Sequence, residues 1–151
     1  MLTLKMSLAE DPHNLARFVE AQENTWEQAI AELKRGRKSS HWMWFIFPQI
    51  RGLGSSETAR FYAIQSGEEA RAFLAHPILG QRLLESCRVL LAHEDRTAHE
   101  IFGSPDEMKL RSSMTLFAAV SGGLTEFEKV IEKYYSGGAD SRTLELLKAY
   151  P

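Results

Sequence analysis

Apolar residues recur three and four positions apart along most of this chain, with polar residues between them, which is the pattern of helices that each bury one stripe. Leu15, Phe18 and Val19 share such a face just after Asp11 and Pro12, a capping residue followed by proline at the first helical position. Trp26, Ala29, Ile30 and Leu33 repeat the spacing toward Gly36, a residue type that ends helices in the left-handed conformation. "SGEEARAFLA" opens on Ser66 with Glu69 at capping-box spacing. Pro77 opens a longer stretch whose Leu79, Leu83, Cys87 and Leu90 form a stripe, and this is the expected central helix.

Three later starts carry the same marks: Thr97 with Glu100, Ser104 with Pro105 and Glu107, and Thr125 with Glu128. Gly103, Gly122-Gly123 and Gly137-Gly138 punctuate them, and Asp140 caps a last segment carrying Leu144, Leu146 and Leu147. The signals predict an all-α, compact single domain over residues 1–151, a bundle of about seven helices with one irregular aromatic segment. Apolar and polar residues do not alternate over a length that predicts a sheet, although "WMWFIF" alone has the β-propensity of a short buried strand.

Composition narrows the function classes. A chain of 151 residues with 44% hydrophobic content is long enough for one core. Its 18 basic and 20 acidic residues give a net charge of −2, so no global field holds a nucleic-acid polymer, and any anion site is local. A single cysteine, Cys87, allows no internal disulfide and no cysteine metal cluster, which fits a reducing cytoplasm; it falls on an apolar stripe and reads as an inert core thiol. "MLTLKMSLAEDPHN" lacks the apolar run of a signal peptide. The six apolar residues from Trp42 to Phe47 fall well short of the ~20 that span a membrane.

Familiar chemical motifs are missing. Gly52, Gly54 and Ser55 resemble part of a phosphate-binding loop, but neither the third glycine of a dinucleotide fingerprint nor a Walker lysine follows. His93 and His99 lie six apart, which is not the i, i+4 spacing of a helical zinc site, so no metal is expected. The sequence names no cofactor and no oligomeric state.

Three elements remain that suit a small-molecule site. In "KRGRKSSH", Lys34, Arg35, Arg37 and Lys38 either balance a helix C-terminus or draw an anion toward His41, a candidate acid or base. In "WMWFIFPQIRGLGSS", Trp42 and Trp44 would share a face of an extended segment and offer a ring platform. There Gln49 supplies an amide, and Gly52, Gly54 and Ser55 offer backbone N–H groups to an anion. In "DEMKLRSSMTLF", Lys109, Ser112 and Ser113 share one helix face and Arg111 another. Asp106 stands in the first turn as a second candidate acid or base. Each element also has a structural reading: aromatic core, solvated face, or close helix packing through the serines.

Together "HWMWFIFPQIRGLGSS", "FLAHPILGQRLLESCRVLL" and "IFGSPDEMKLRSSMTLFAAV" resemble, in order and spacing, the diagnostic blocks of the domain of unknown function eighteen-ten family. That family also carries a calpastatin-like label. The resemblance runs from about Leu15 to Leu147 and implies an all-helical single domain without an established activity. Trp26 stands where the family pattern has tyrosine, a change between rings. A more distant similarity, carried by "FLAHPILGQRLLES", "IFG" and the helix with Lys109 and Arg111, is to the NADAR domain, which is linked to ADP-ribose and NAD-derived substrates. The chain has no counterpart of that family's catalytic residues, so no catalytic role is carried over.

Two functions follow as expectations. One is a pocket for a nucleotide or ADP-ribose-like ligand, possible chemistry falling to His41 and Asp106, with Trp42, Trp44, Gln49, Gly52, Gly54, Ser55, Lys109, Arg111, Ser112 and Ser113 around it. The alternative is a non-catalytic protein-interaction module whose aromatic block is core or a partner-binding hot spot.

Overall fold

Most helices begin where a nearby side chain takes up free amide groups, and these caps divide the chain. The structure, a computed structural model, describes residues 10–122 and 125–151. The leader reading of the first nine residues and the stop at Gly123 lie outside the described residues. Ten helices follow one another: α1 (Ala16–Glu23), α2 (Trp26–Arg35), α3 (Met43–Ile46), α4 (Glu57–Tyr62), α5 (Gly67–Ala75), α6 (Leu79–Ala92), α7 (Ala98–Phe102), α8 (Asp106–Ser121), α9 (Glu126–Tyr135) and α10 (Ser141–Ala149). The class is all-α as expected, and the larger number comes from short helices, α3 and α4 above all, that carry no helical period in the sequence.

Ser66 accepts from Glu69 N, Thr125 from Glu128 N and Asp140 from Thr143 N, while Thr97 and Glu100 form a full capping box. Gly36 ends α2 with φ +81°, a left-handed backbone that only glycine adopts at no steric cost. The start of α1 differs from the expectation. Asp11 does cap, accepting from Leu15 N at 2.8 Å and Ala16 N at 3.0 Å, but regular helix begins only at Ala16 because Asn14 turns to φ +50°. At α6, Pro77 is not the opening residue either: His76 Nδ1 accepts from Ile78 N and Leu79 N.

A chain of rings runs through the core, Phe18 to Phe73 to Phe117 to Phe127, with centroids 5.1, 5.3 and 5.8 Å apart. α6 contributes Leu79, Leu83, Cys87 and Leu90, all buried, and burial pushes the Cys87 thiol pKa well up. The most enclosed helix is nevertheless α8, which packs against α5, α7, α9 and α10 and is buried continuously from Ser112 to Ala118. A helix enclosed on all sides shows no single stripe, which is why its serines read as a polar face.

Strand-like pairing among the described residues is one parallel bridge: Arg51 N donates to Ile64 O, and Ile64 N to Gln49 O, both at 2.8 Å. The bridge closes the segment with the turn and α4 into a loop against α3. α3 also packs on α1, and α8 brings its first turns to the same corner through Lys109.

Candidate functional site

The aromatic block is a single helical turn rather than an extended segment, so the expected alternation of Trp42 and Trp44 does not occur. At 100° per residue the two rings diverge. Trp42 is fully buried among Phe47 and Phe102, at 6.2 and 6.3 Å, whereas Trp44 is only partly buried. Trp42 also spends its one donor inside, from Nε1 to Glu32 Oε1 at 2.9 Å.

Glu32 organises the basic stretch that the sequence offered as an anion funnel. Its carboxylate accepts from Ser39 N at 2.7 Å, Ser40 N at 3.1 Å and Gln28 Nε2 at 3.1 Å, and from the Ser40 hydroxyl. Burial pushes its pKa up, but the hydrogen bonds from Ser40, Ser39 and Trp42 outweigh that and hold it at about 2. The loop wraps a buried anion of its own. His41, at its end, is exposed and bonded to no described residue.

Lys38 leaves that loop inward, and here the structure adds a residue whose role the sequence did not show. Its ammonium lies 2.8 Å from Asp106 Oδ2 and 5.1 Å from the Trp42 ring centroid. Asp106 Oδ1 reaches Lys109 at 3.5 Å, and the Lys109 ammonium lies 5.4 Å from the Trp44 ring centroid. The result is a continuous series of ring, cation, carboxylate, cation and ring from the core to the surface. Two ammoniums share one carboxylate, so the series carries one excess positive charge. Cation–ring contacts of this kind contribute about 0.5–1 kcal/mol when exposed and more when desolvated.

Trp44, Gln49, Gly54 and Lys109 line one recess together with Ala59 and Tyr62. Its volume is about 20 Å³, room for a single water molecule. The outer wall is tight because a Cβ on Gly54 would stand 2.6 Å from Ala59 Cβ. The wall is α4, which has no fully buried side chain but packs the Tyr62 ring against Phe18 and Phe45, at 5.9 and 5.4 Å.

The remaining candidates go elsewhere. Gly52, with φ +99°, faces Leu146 of α10 at 3.0 Å from a would-be Cβ, and Ser55 is exposed outside the recess. Arg111 donates from Nε to Gly138 O at 2.6 Å and from Nη2 to Ala139 O at 3.1 Å, tying down the approach to α10. Ser112 Oγ bonds Met108 O at 3.1 Å and Asp140 Oδ2 at 3.2 Å. Ser113 is fully buried and its hydroxyl has no partner. The three residues keep their common side of α8 but meet different neighbours: Lys109 the recess, Ser112 the cap of α10, Ser113 the core. Among the described residues no group of three His, Cys, Asp or Glu side chains is placed to hold a metal ion, and no helix is long and apolar enough to cross a membrane.

Comparison with known proteins agrees with this architecture. The sequence model of the family described as protein of unknown function DUF1810 matches residues 12–147. The crystal structure of the conserved hypothetical protein Rv1873 from Mycobacterium tuberculosis is similar at 50% identity, covering 91% of this chain and 98% of its own, with a TM-score of 0.89. No curated protein matches the chain. Length of match, identity and shared architecture agree: this chain belongs to the DUF1810 family of proteins of unknown function.

Proposed function

We propose that this protein binds a small anion carrying a flat ring, of the nucleotide or ADP-ribose class, at the corner between Trp44 and Lys109. The observation that carries the reading is the placement of the Lys109 ammonium 5.4 Å from the Trp44 ring centroid, beside Gln49 and Gly54. Lys109 is the more weakly paired of the two lysines on Asp106, at 3.5 Å against 2.8 Å for Lys38. A ligand phosphate takes Lys109 while Asp106 stays with Lys38, and a ligand ring stacks on the uncovered part of Trp44. Stacking of this kind is worth about 1–3 kcal/mol. The ligand class is taken from the NADAR-like layout of the sequence, with NAD-derived metabolites as the compounds to be bound.

The reading is one of binding rather than catalysis. His41 is exposed and stands outside the recess, and Asp106 is committed to two ammoniums. Because the recess itself admits one water, the ligand lies at its mouth, with phosphate on Lys109 and a ring on the uncovered part of Trp44, rather than inside it.

A thermal-shift series with ADP-ribose, NAD and AMP, followed by calorimetry on the best of them, tests this. Saturating ligand at 100 times Kd adds about 2.7 kcal/mol to folded-state stability. A rise in Tm that disappears in Lys109→Ala supports the site, and a flat response across the panel rejects it.

A further inference from the structure

Two of the exposed large hydrophobic side chains, Phe61 at 55% and Ile78 at 41% exposure, border neighbouring recesses that meet at Pro12 and His13. On one side an open groove of about 580 Å³ runs along α1 to the α5–α6 turn, lined by Leu15, Val19, Ala72 and Ile78, with Glu20 and Glu23 exposed at its edge. On the other side a recess of about 440 Å³ carries Phe61 and Arg60. Pro12 and His13 line both, forming the ridge between them.

The charges on the two sides are opposite and unspent. Glu20, Glu23 and Arg60 are exposed, and none forms an ion pair with a described residue. One side is therefore an apolar groove with an acidic edge, and the other an exposed ring with a basic neighbour. Each is what the other would bind. A patch that carries both halves across a ridge is self-complementary, the requirement for a two-fold interface between identical chains.

We propose that this face joins two copies of the chain, with Phe61 of each copy seated in the groove of the other between Val19 and Ile78 and Arg60 set against Glu20 and Glu23. The ridge at Pro12 and His13 lies next to the two-fold axis. The rings are the anchors and the charges set the register, as aromatic centres and polar rims do in protein interfaces. A foreign basic partner would fill the groove but leave Phe61 in water, so a second copy accounts for both features. The interface shares no lining residue with the Trp44–Lys109 recess, although Arg60 and Phe61 lie on α4 between Ala59 and Tyr62 of its wall; the two readings are told apart by their readouts, dimerisation for one and the Lys109-dependent ligand shift for the other.

Sedimentation of the full chain from low micromolar to millimolar concentration tests the proposal. The expected result is a concentration-dependent dimer whose Kd rises at least about thirtyfold in Phe61→Glu, which removes an aromatic anchor from each copy. That variant keeps the helical circular dichroism of the parent, since Phe61 is mostly exposed. Arg60→Glu weakens the dimer, the double variant Glu20→Arg with Glu23→Arg weakens it too, and the triple variant restores it by exchanging the signs. A chain that stays monomeric at millimolar concentration overturns the proposal, whether or not a basic peptide then enters the groove. A dimer indifferent to Phe61→Glu overturns it as well, because its interface lies elsewhere.

Discussion

Trp42 Nε1 donates to Glu32 Oε1 at 2.9 Å inside the protein, and this one bond ties the aromatic block to the helix before the basic loop. The folded state holds the Glu32 carboxyl at about 2, below its ordinary 4.5, so it favours the carboxylate. The stabilisation is fully present above about pH 4.5 and is lost as pH falls toward 2. The shift corresponds to roughly 3 kcal/mol. Urea unfolding between pH 6 and pH 3 is expected to show an acid limb that Glu32→Gln flattens.

At neutral pH the same substitution is expected to cost about 2–4 kcal/mol, since an amide turns donors toward Ser39 N, Ser40 N or Trp42 Nε1 and removes the charge that they stabilise. Chemical denaturation of Glu32→Gln against the parent at pH 7 measures it. A cost under 0.5 kcal/mol, the size of an ordinary surface change, is the result this geometry does not allow.

Arg17 and Glu69 form a second interior fixture. Arg17 Nη2 donates to Glu69 Oε2 at 2.6 Å, and the other guanidinium donors reach the carbonyls of His13, Asn14, Phe61 and Ala63. Glu69 also accepts from Gln65 N at 3.1 Å. Arg17→Met leaves a buried carboxylate and four carbonyls without this donor, and a loss of about 3–5 kcal/mol is expected. Arg17→Lys recovers little of it because one ammonium does not span that fork of acceptors. Denaturation midpoints of the two variants, compared side by side, decide the point.

What was legible in the sequence is what local chemistry settles. Thr97 with Glu100, Thr125, Asp140 and Gly36 announce helix ends because their partners are three or four residues away. The aromatic block was not legible, because six apolar residues in a row contain no period, and the partner that turns Trp42 inward lies ten positions back. Lys38 read as one of several cations at a helix end until Asp106, in a distant helix, took it out of solvent. Trp44, Gln49, Gly54 and Lys109 were named from residue type and local spacing, and the fold does bring them to one recess. Ser112 and Ser113 parted from them because α8 is covered by different neighbours along that side.

The two serines give an opposed pair of outcomes. Ser112 bonds Asp140, the cap of α10, so Ser112→Ala is expected to cost about 1 kcal/mol. Ser113 pays for a buried hydroxyl with no partner, so Ser113→Ala is expected to be neutral or stabilising by up to about 1 kcal/mol. Thermal unfolding of both variants checks the ordering.

Lys38 and Lys109 share Asp106 but differ in depth, and the difference separates structure from binding. The Lys38 side chain is 8% exposed, whereas that of Lys109 is 29% exposed. Lys38→Ala removes the shorter ion pair and the cation beside the buried Trp42, and a loss of about 2–3 kcal/mol is expected. Lys109→Ala gives up a longer, wetter contact worth less than about 1 kcal/mol and leaves Lys38 on Asp106. If Lys109 is the ligand's cation, its removal weakens affinity by about tenfold or more, the loss of one charge-assisted contact, while Tm without ligand hardly moves. Calorimetry with ADP-ribose and unfolding without it make the comparison on one protein sample. Should Lys109→Ala destabilise the fold as much as Lys38→Ala and leave affinity untouched, both lysines are structural and the Trp44 corner is not a binding site.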